Sequence, residues 1–264
     1  MSARVVITGA ASGIGAAAME MLRAREATVV GLDVNGSDEI VECDVRDQES
    51  VDRAMNEAIE RLGGGFDVLI NNAGVGFSQS AGSVPDEKAM TVLEVNLIGP
   101  WRVTAAALAA LRSSRGRVVN VASGLAHLAL PYGTAYCMSK RGLTAYSDAL
   151  RLEHGDAITV TTVYPGYIRT PIHAASQAAG VALEGTVPAE DVQDAARTLA
   201  RAALGRPARD LATTRGGTVA YALARHVPRR LLDAAVRRRL GRLAAGGHFE
   251  GSALAGESFR RPAS

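Results

Sequence analysis

Short aliphatic and β-branched runs punctuate the first two thirds of the chain, and the stretches between them carry apolar residues at helical spacing. Arg4–Thr8, Thr28–Asp33, Glu39–Cys43, Asp67–Asn71, Arg117–Ala122 and Ile158–Tyr164 predict strands. Ile14–Arg25, Ser50–Leu62, Asp86–Leu111 and Tyr136–Glu153 predict helices, and within Ser50–Leu62 the residues Val51, Met55, Ala58 and Leu62 share one face. Continuous apolar strands separated by helices, with no spacing short enough for hairpins, predict a parallel sheet covered on both faces. Right-handed crossovers then give an α/β fold with a Rossmann-type doubly wound sheet.

Beyond Tyr164 the pattern loosens. Pro188–Leu204 predicts a helix with proline at its start, Asp210–Thr214 a short seventh strand, and Pro228–Leu243 a helix with Leu232, Ala235, Val236, Leu240 and Leu243 on one arc. The expected organisation is a single domain over residues 1–204, a basic helical extension over 205–243 packed on or near it, and a mobile tail over 244–264.

Composition adds three constraints. At 264 residues, 47% hydrophobic and 21% charged, the chain is neither disordered nor fibrous. Its 29 basic residues include only two lysines, Lys88 and Lys140, so each position that keeps an ammonium in place of a guanidinium stands out. Charge is also uneven: from Gly205 onward there are 12 Arg against Asp210, Asp233, Glu250 and Glu257, a surplus of +8, which leaves −6 on the preceding residues. A basic tail on an acidic body is no nucleic-acid footprint. It leaves the segment 228–243 three roles: a cap on the substrate pocket, a subunit interface, or peripheral contact with an anionic membrane. Two cysteines, Cys43 and Cys137, make neither a disulfide framework nor a metal site. The N-terminal apolar run is too short for a signal peptide, and a cytoplasmic protein is expected.

The first strand runs directly into Thr8-Gly9-Ala10-Ala11-Ser12-Gly13-Ile14-Gly15. Glycines between a buried strand and a helix let backbone approach backbone and let a pyrophosphate approach the helix N-terminus. Gly9, Ser12, Gly13, Ile14 and Gly15 are therefore candidates to bind a dinucleotide. Asp33 closes the second strand, where a carboxylate can accept hydrogen bonds from ribose hydroxyls and would repel a 2′-phosphate. No Arg or Lys lies between Ala27 and Val45 to offset it, which favours NAD over NADP.

Tyr136 and Lys140 stand four residues apart on one helical face. A phenol beside an ammonium can be brought toward use as a base. The segment from Val118 to Ser139 holds no Asp, Glu, Lys or Arg, as a closed site for hydride transfer requires.

These elements resemble the short-chain dehydrogenase/reductase family, in its short single-domain branch, over roughly residues 4–205. The resemblance rests on TGAASGIG (8–15), Asp44-Val45, NNAG (71–74), Asn96, the serine of NVAS (120–123), YCMSK (136–140) and PGYIRT (165–170). It implies that Tyr136 is the acid and base, that Lys140 lowers its pKa and holds the nicotinamide ribose, and that Ser123 hydrogen-bonds the substrate oxygen. By the same resemblance Asn96 holds a water in a proton relay, and Asp44 and Val45 border the adenine. Asn72, Ala73 and Gly74 would line the cofactor, and Pro165, Ile168 and Thr170 the nicotinamide carboxamide. The family's common Asp-Gly-Gly turn is missing after the seventh strand, where Arg215-Gly216-Gly217 follows. This puts the family's common tetramer in doubt, and the expected assembly is a homodimer through 86–111 and 136–153.

The leading expectation is an NAD-dependent oxidoreductase interconverting a small apolar secondary alcohol and its ketone. The alternatives are an NADP-linked ketoreductase of acyl or polyketide intermediates, and a non-catalytic dinucleotide sensor. The substrate loop is expected between Thr170 and Pro188, with Gly124–Pro131 opposite, both apolar apart from Glu184. His127 and His173 are read as spectators.

Overall fold

Along β1 (Arg4–Thr8), Val5 and Ile7 enter one apolar layer and Val6 the other. Both faces of the sheet are thus covered, and the strands read as unbroken apolar runs for that reason. The structure is a computed structural model that describes residues 2–168, 170, 172, 189–214, 216–224 and 226–246. After β1 come β2 (Thr28–Asp33), β3 (Ile40–Glu42), β4 (Val68–Asn71), β5 (Arg117–Val121), β6 (Thr159–Tyr164), β7 (Tyr167–Ile168), β8 (Ala189–Glu190) and β9 (Asp210–Ala212). Seven of these form one sheet in the order β3-β2-β1-β4-β5-β6-β9, each neighbouring pair parallel. β7 and β8 form a separate two-stranded pair that the sequence pattern did not announce.

The helices are α1 (Gly13–Arg23), α2 (Gln48–Arg61), α3 (Glu87–Leu93), α4 (Gly99–Ser114), α5 (Thr134–His154), α6 (Val192–Leu204), α7 (Gly217–Ala224) and α8 (Arg229–Ala245). On one side of the sheet Ala18 and Leu22 of α1 pack with Leu199 and Ala203 of α6. On the other, Met55 of α2, Ala107 and Leu111 of α4 and Leu150 of α5 form the second layer. β2 and β3 follow on one side of β1, and the chain then crosses back to place β4 on the other side, so the strand order reverses there and a crevice opens above the carboxyl ends of these strands.

Several boundaries differ from the sequence reading. α2 starts before Ser50 because the Asp47 carboxylate accepts hydrogen bonds from the Glu49 and Ser50 amides at 3.2 and 3.3 Å. α6 starts at Val192 under an Asp191 cap, and Pro188 lies outside the described residues. The single helix expected over Asp86–Leu111 is three pieces: α3, a π turn at Glu94–Ile98, and α4. α7 was not expected, and α8 runs to Ala245, inside the segment read as tail. The rest of that tail, residues 247–264, lies outside the described residues. Among the described residues no helix is long and apolar enough to cross a membrane, and no group of three His, Cys, Asp or Glu converges.

Candidate active site

The turn after β1 passes through Gly9 and Gly13, at φ +68° and +56°. A Cβ on Gly9 would stand 2.8 Å from the Ala73 backbone, and one on Gly15 would strike the Gly9 carbonyl, so only glycine lets these segments touch. The Thr8 hydroxyl accepts from the Asn72 and Ala73 amides at 3.0 Å, and Asn72 Nδ2 donates back to the Thr8 and Gly9 carbonyls. The segment after β4 is thereby latched to the turn. Ser12, the N-cap of α1, makes no side-chain capping bond, and the helix has no acidic residue in its first turn. The positive end of α1 is therefore left open to an anion.

Asp33 stands beside this turn. One carboxylate oxygen accepts from the Ala11 amide at 3.0 Å and the other from the Asn35 amide at 3.0 Å. Asp44 takes a two-pronged contact from the Arg46 guanidinium at 2.7–3.0 Å, which holds its carboxyl below the usual carboxylate range. Val45 seats against Gly99, where a Cβ would come within 2.8 Å of its side chain.

At the far end of the crevice, α5 brings Tyr136 and Lys140 beside the end of β5. Lys140 is buried, and its Nζ donates to the Val121 carbonyl at 2.9 Å and lies 5.7 Å from the Tyr136 ring centre. Burial pulls this ammonium down to about 8. Burial also pushes the Tyr136 phenol up to about 12, while a hydrogen bond with the Ser123 side chain works the other way. In the protein alone desolvation therefore dominates, and the group that opposes it is Ser123, not Lys140 as the resemblance implied. Ser123 accepts from the Leu125 amide at 3.2 Å, which fixes its hydroxyl at the end of β5.

Asn96 is fully buried in the π turn. Its Oδ1 accepts from the Val75 amide at 2.8 Å, and its Nδ2 donates to the Val75 carbonyl at 2.9 Å and the Ser139 hydroxyl at 3.3 Å. Its side chain therefore ties the loop after β4 to α5. Pro100, four residues on, has no N–H to return to the Asn96 carbonyl in an α-helical pattern. That proline was the one signal in the sequence for the π turn.

One cavity of about 740 Å³ joins the two ends. All the candidate residues line it except Gly15 and Asn96, which stand behind its wall: Gly9, Ser12, Gly13, Ile14, Asp33, Asp44, Val45, Asn72, Ala73, Gly74, Ser123, Tyr136, Lys140, Pro165, Ile168 and Thr170. Its size and its glycine-lined end fit an extended anionic ligand. Beyond Tyr136 the wall includes Leu125, Leu128 and Leu130. His127 does not line it; its ring packs on Tyr164 at 4.8 Å. His173 and Glu184 lie outside the described residues.

The short chain dehydrogenase family model matches residues 3–180. The chain belongs to this family. It is accordingly an oxidoreductase that acts on CH–OH groups. Among its relatives, a Streptomyces coelicolor protein provisionally named a ketoacyl reductase is 33% identical over 192 residues, covering 64% of this chain and 72% of that protein. Retinol dehydrogenase 5 of Mus musculus is 39% identical over 132 residues, 49% of this chain and 41% of its own length. A short chain dehydrogenase from Burkholderia cenocepacia, solved in complex with NADP, superposes with a TM-score of 0.73 at 27% identity, covering 89% of this chain and 97% of that one.

For a short-chain dehydrogenase, the C-terminal part of this site was the hardest to foresee. Val236 and Leu240 of α8 line the cavity, and Leu240 packs on the buried Tyr132 with Val236 and Leu243 alongside. The apolar arc of Pro228–Leu243 left a pocket cap as one of three roles, and the fold places this face at the pocket. Glu190 and Arg239 also reach the lining. Glu190 is engaged by the Thr213 hydroxyl. Arg46, at the other end, was missed because it falls one residue beyond the motif that drew attention to Val45.

Proposed function

We propose that the protein interconverts a neutral, apolar secondary alcohol and its ketone with NAD, using Tyr136 as acid and base. The observation that carries this reading is the convergence of Ser123, Tyr136 and Lys140 at one end of a cavity whose other end is the glycine turn and Asp33. Gly9, Ser12, Gly13 and Ile14 would hold the pyrophosphate, Asp33 the adenosine ribose, Asp44 and Val45 the adenine edge, and Asn72 to Gly74 the middle of the cofactor. Pro165, Ile168 and Thr170 would meet the nicotinamide end. When bound, the oxidised nicotinamide supplies a hydride acceptor and a positive charge.

The chain's own residues do the rest. Ser123 donates to the substrate oxygen and opposes the build-up of charge on it. Tyr136 gives its proton to that oxygen in reduction and takes one in oxidation. Lys140 carries a positive charge beside the ring and orients the nicotinamide ribose. Asn96 positions α5 through Ser139, and its carbonyl, which receives no amide from Pro100, would hold the relay water. An NAD-linked screen over alicyclic, steroidal and medium-chain alcohols tests the reading. Absence of turnover on every such alcohol, with turnover on acyl thioester ketones and NADPH, would install the ketoreductase reading that the Streptomyces coelicolor relative favours.

Cofactor choice rests on Asp33. The Asp33→Ser variant is expected to lower the ratio of NADH to NADPH efficiency by more than about tenfold, the worth of one hydrogen bond to a charged group. Steady-state kcat/KM with both cofactors checks it; an unchanged ratio would assign selectivity elsewhere.

We also propose a homodimer through α4 and α5, whose surface exposes Trp101, its ring tilted against that of Tyr146 with centroids 5.6 Å apart, and Leu152. Trp101→Glu is expected to shift sedimentation toward monomer while the isolated fold remains intact by circular dichroism.

A further inference from the structure

Four large apolar side chains face solvent here, Val219 and Leu223 on α7, Val227 between the helices and Leu231 on α8, at 63%, 63%, 36% and 57% exposure. Solvated apolar residues are ordinary when scattered, but a consecutive series on adjoining helices marks a contact surface. α8 carries Leu231 on its solvent side. Its inner arc, Val236, Leu240 and Leu243, packs on Tyr132 and the cavity wall. On the opposite side Arg230, Arg237, Arg238 and Arg242 are exposed, and Asp233 is the one carboxylate between Gly216 and Gly246. α7 is fastened to the core, since the Ala212 amide of β9 donates to the Thr218 hydroxyl at 3.0 Å. This surface is therefore presented by a fixed scaffold.

We propose that the α7–α8 face docks on an anionic membrane surface, which places the α8-bordered cavity next to lipid. Two features select lipid as the occupant. Arginines beside exposed Leu and Val match the boundary between charged headgroups and acyl chains. The six arginines of α8 against its single Asp233 also favour an orientation with that helix toward a negative plane. The inner arc of the same helix is apolar, so a lipid-soluble substrate would pass from membrane to cavity along α8. Docking itself does not depend on the reaction assigned above, because it uses none of the residues of the chemistry.

Flotation of the full chain with vesicles provides the test. Binding is expected to vesicles of phosphatidylcholine with phosphatidylglycerol at low salt, to fall at high salt, and to be weak on phosphatidylcholine alone. The double variant Arg237→Glu, Arg238→Glu should lower the partition coefficient by about thirtyfold or more, given the worth of each basic residue near a charged surface. Leu223→Ser with Leu231→Ser should also lower it, which a purely electrostatic contact would not show. Both variants should keep the turnover of the parent on a water-soluble alcohol. No flotation with phosphatidylglycerol vesicles at low salt would overturn the proposal. So would leucine variants that bind vesicles undiminished yet lose self-association, which would assign the face to a second copy of the chain. Flotation needs neither cofactor nor turnover, so its failure is distinct from failure of the proposed chemistry.

Discussion

Tyr136→Phe is expected to lower turnover of any accepted alcohol by about 10²–10⁴-fold, the range for loss of a positioned acid or base. NADH binding, followed by fluorescence, should persist, because the ring stays to fill its place beside Lys140. The physical reason lies in the phenol's environment. Desolvation pushes it up to about 12, so in the protein alone the hydroxyl carries its proton throughout the physiological range. That state is ready to donate to a ketone oxygen. For oxidation the phenol must first give up its proton, which the Ser123 hydrogen bond, the ammonium of Lys140 and a positively charged nicotinamide all favour. The two directions should therefore respond oppositely to pH: oxidation rises as pH rises, and reduction falls. Ser123→Ala should cost less than Tyr136→Phe and should move this pH dependence to higher pH, because the hydrogen bond that opposes desolvation is lost. Undiminished turnover in Tyr136→Phe would remove Tyr136 from the chemistry and revive the sensor reading.

How much of this was legible beforehand depended on whether a signal is local. The strands of the main sheet were readable because burial on both faces leaves continuous apolar runs, and the Gly9–Gly15 turn because backbone contact excludes side chains. The π turn was not. Ala89, Val92, Asn96, Val103, Ala107 and Leu111 keep an ordinary helical period straight through it, so only Pro100 breaks the pattern. α2 began before Ser50 because the Asp47 cap set its start, and α6 began at the Asp191 cap and not at the proline taken as its first residue. For α8, amphipathicity showed that one face is covered but could not say by what; its partners, Tyr132 and the cavity wall, lie about a hundred residues away in the sequence.

The same logic makes Lys140 the residue where stability and activity conflict most directly. Lys140→Met is expected to abolish most turnover and yet to stabilise the protein alone. Burial brings the folded-state ammonium down to about 8, against 10.5 when unfolded. Between those values the unfolded chain holds a proton that the folded chain has released, so stability rises with pH across that window. Below about pH 8 both states are charged and the full penalty applies, about 3 kcal/mol for a displacement of that size. The hydrogen bond to the Val121 carbonyl offsets about 1 kcal/mol of it in the wild type, leaving Met an advantage of about 2 kcal/mol at neutral pH. Urea midpoints at pH 7 and near pH 9.5 check this: the advantage of the variant should shrink at the higher value. Measurements should stop short of pH 10, because above it the Tyr136 phenol, raised in the folded state, begins to lose stability in the opposite sense. Lys140→Arg should show neither recovery, since a guanidinium keeps its charge at every accessible pH and would sit in the same buried place. In a chain that otherwise uses arginine almost throughout, that difference accounts for a lysine at position 140.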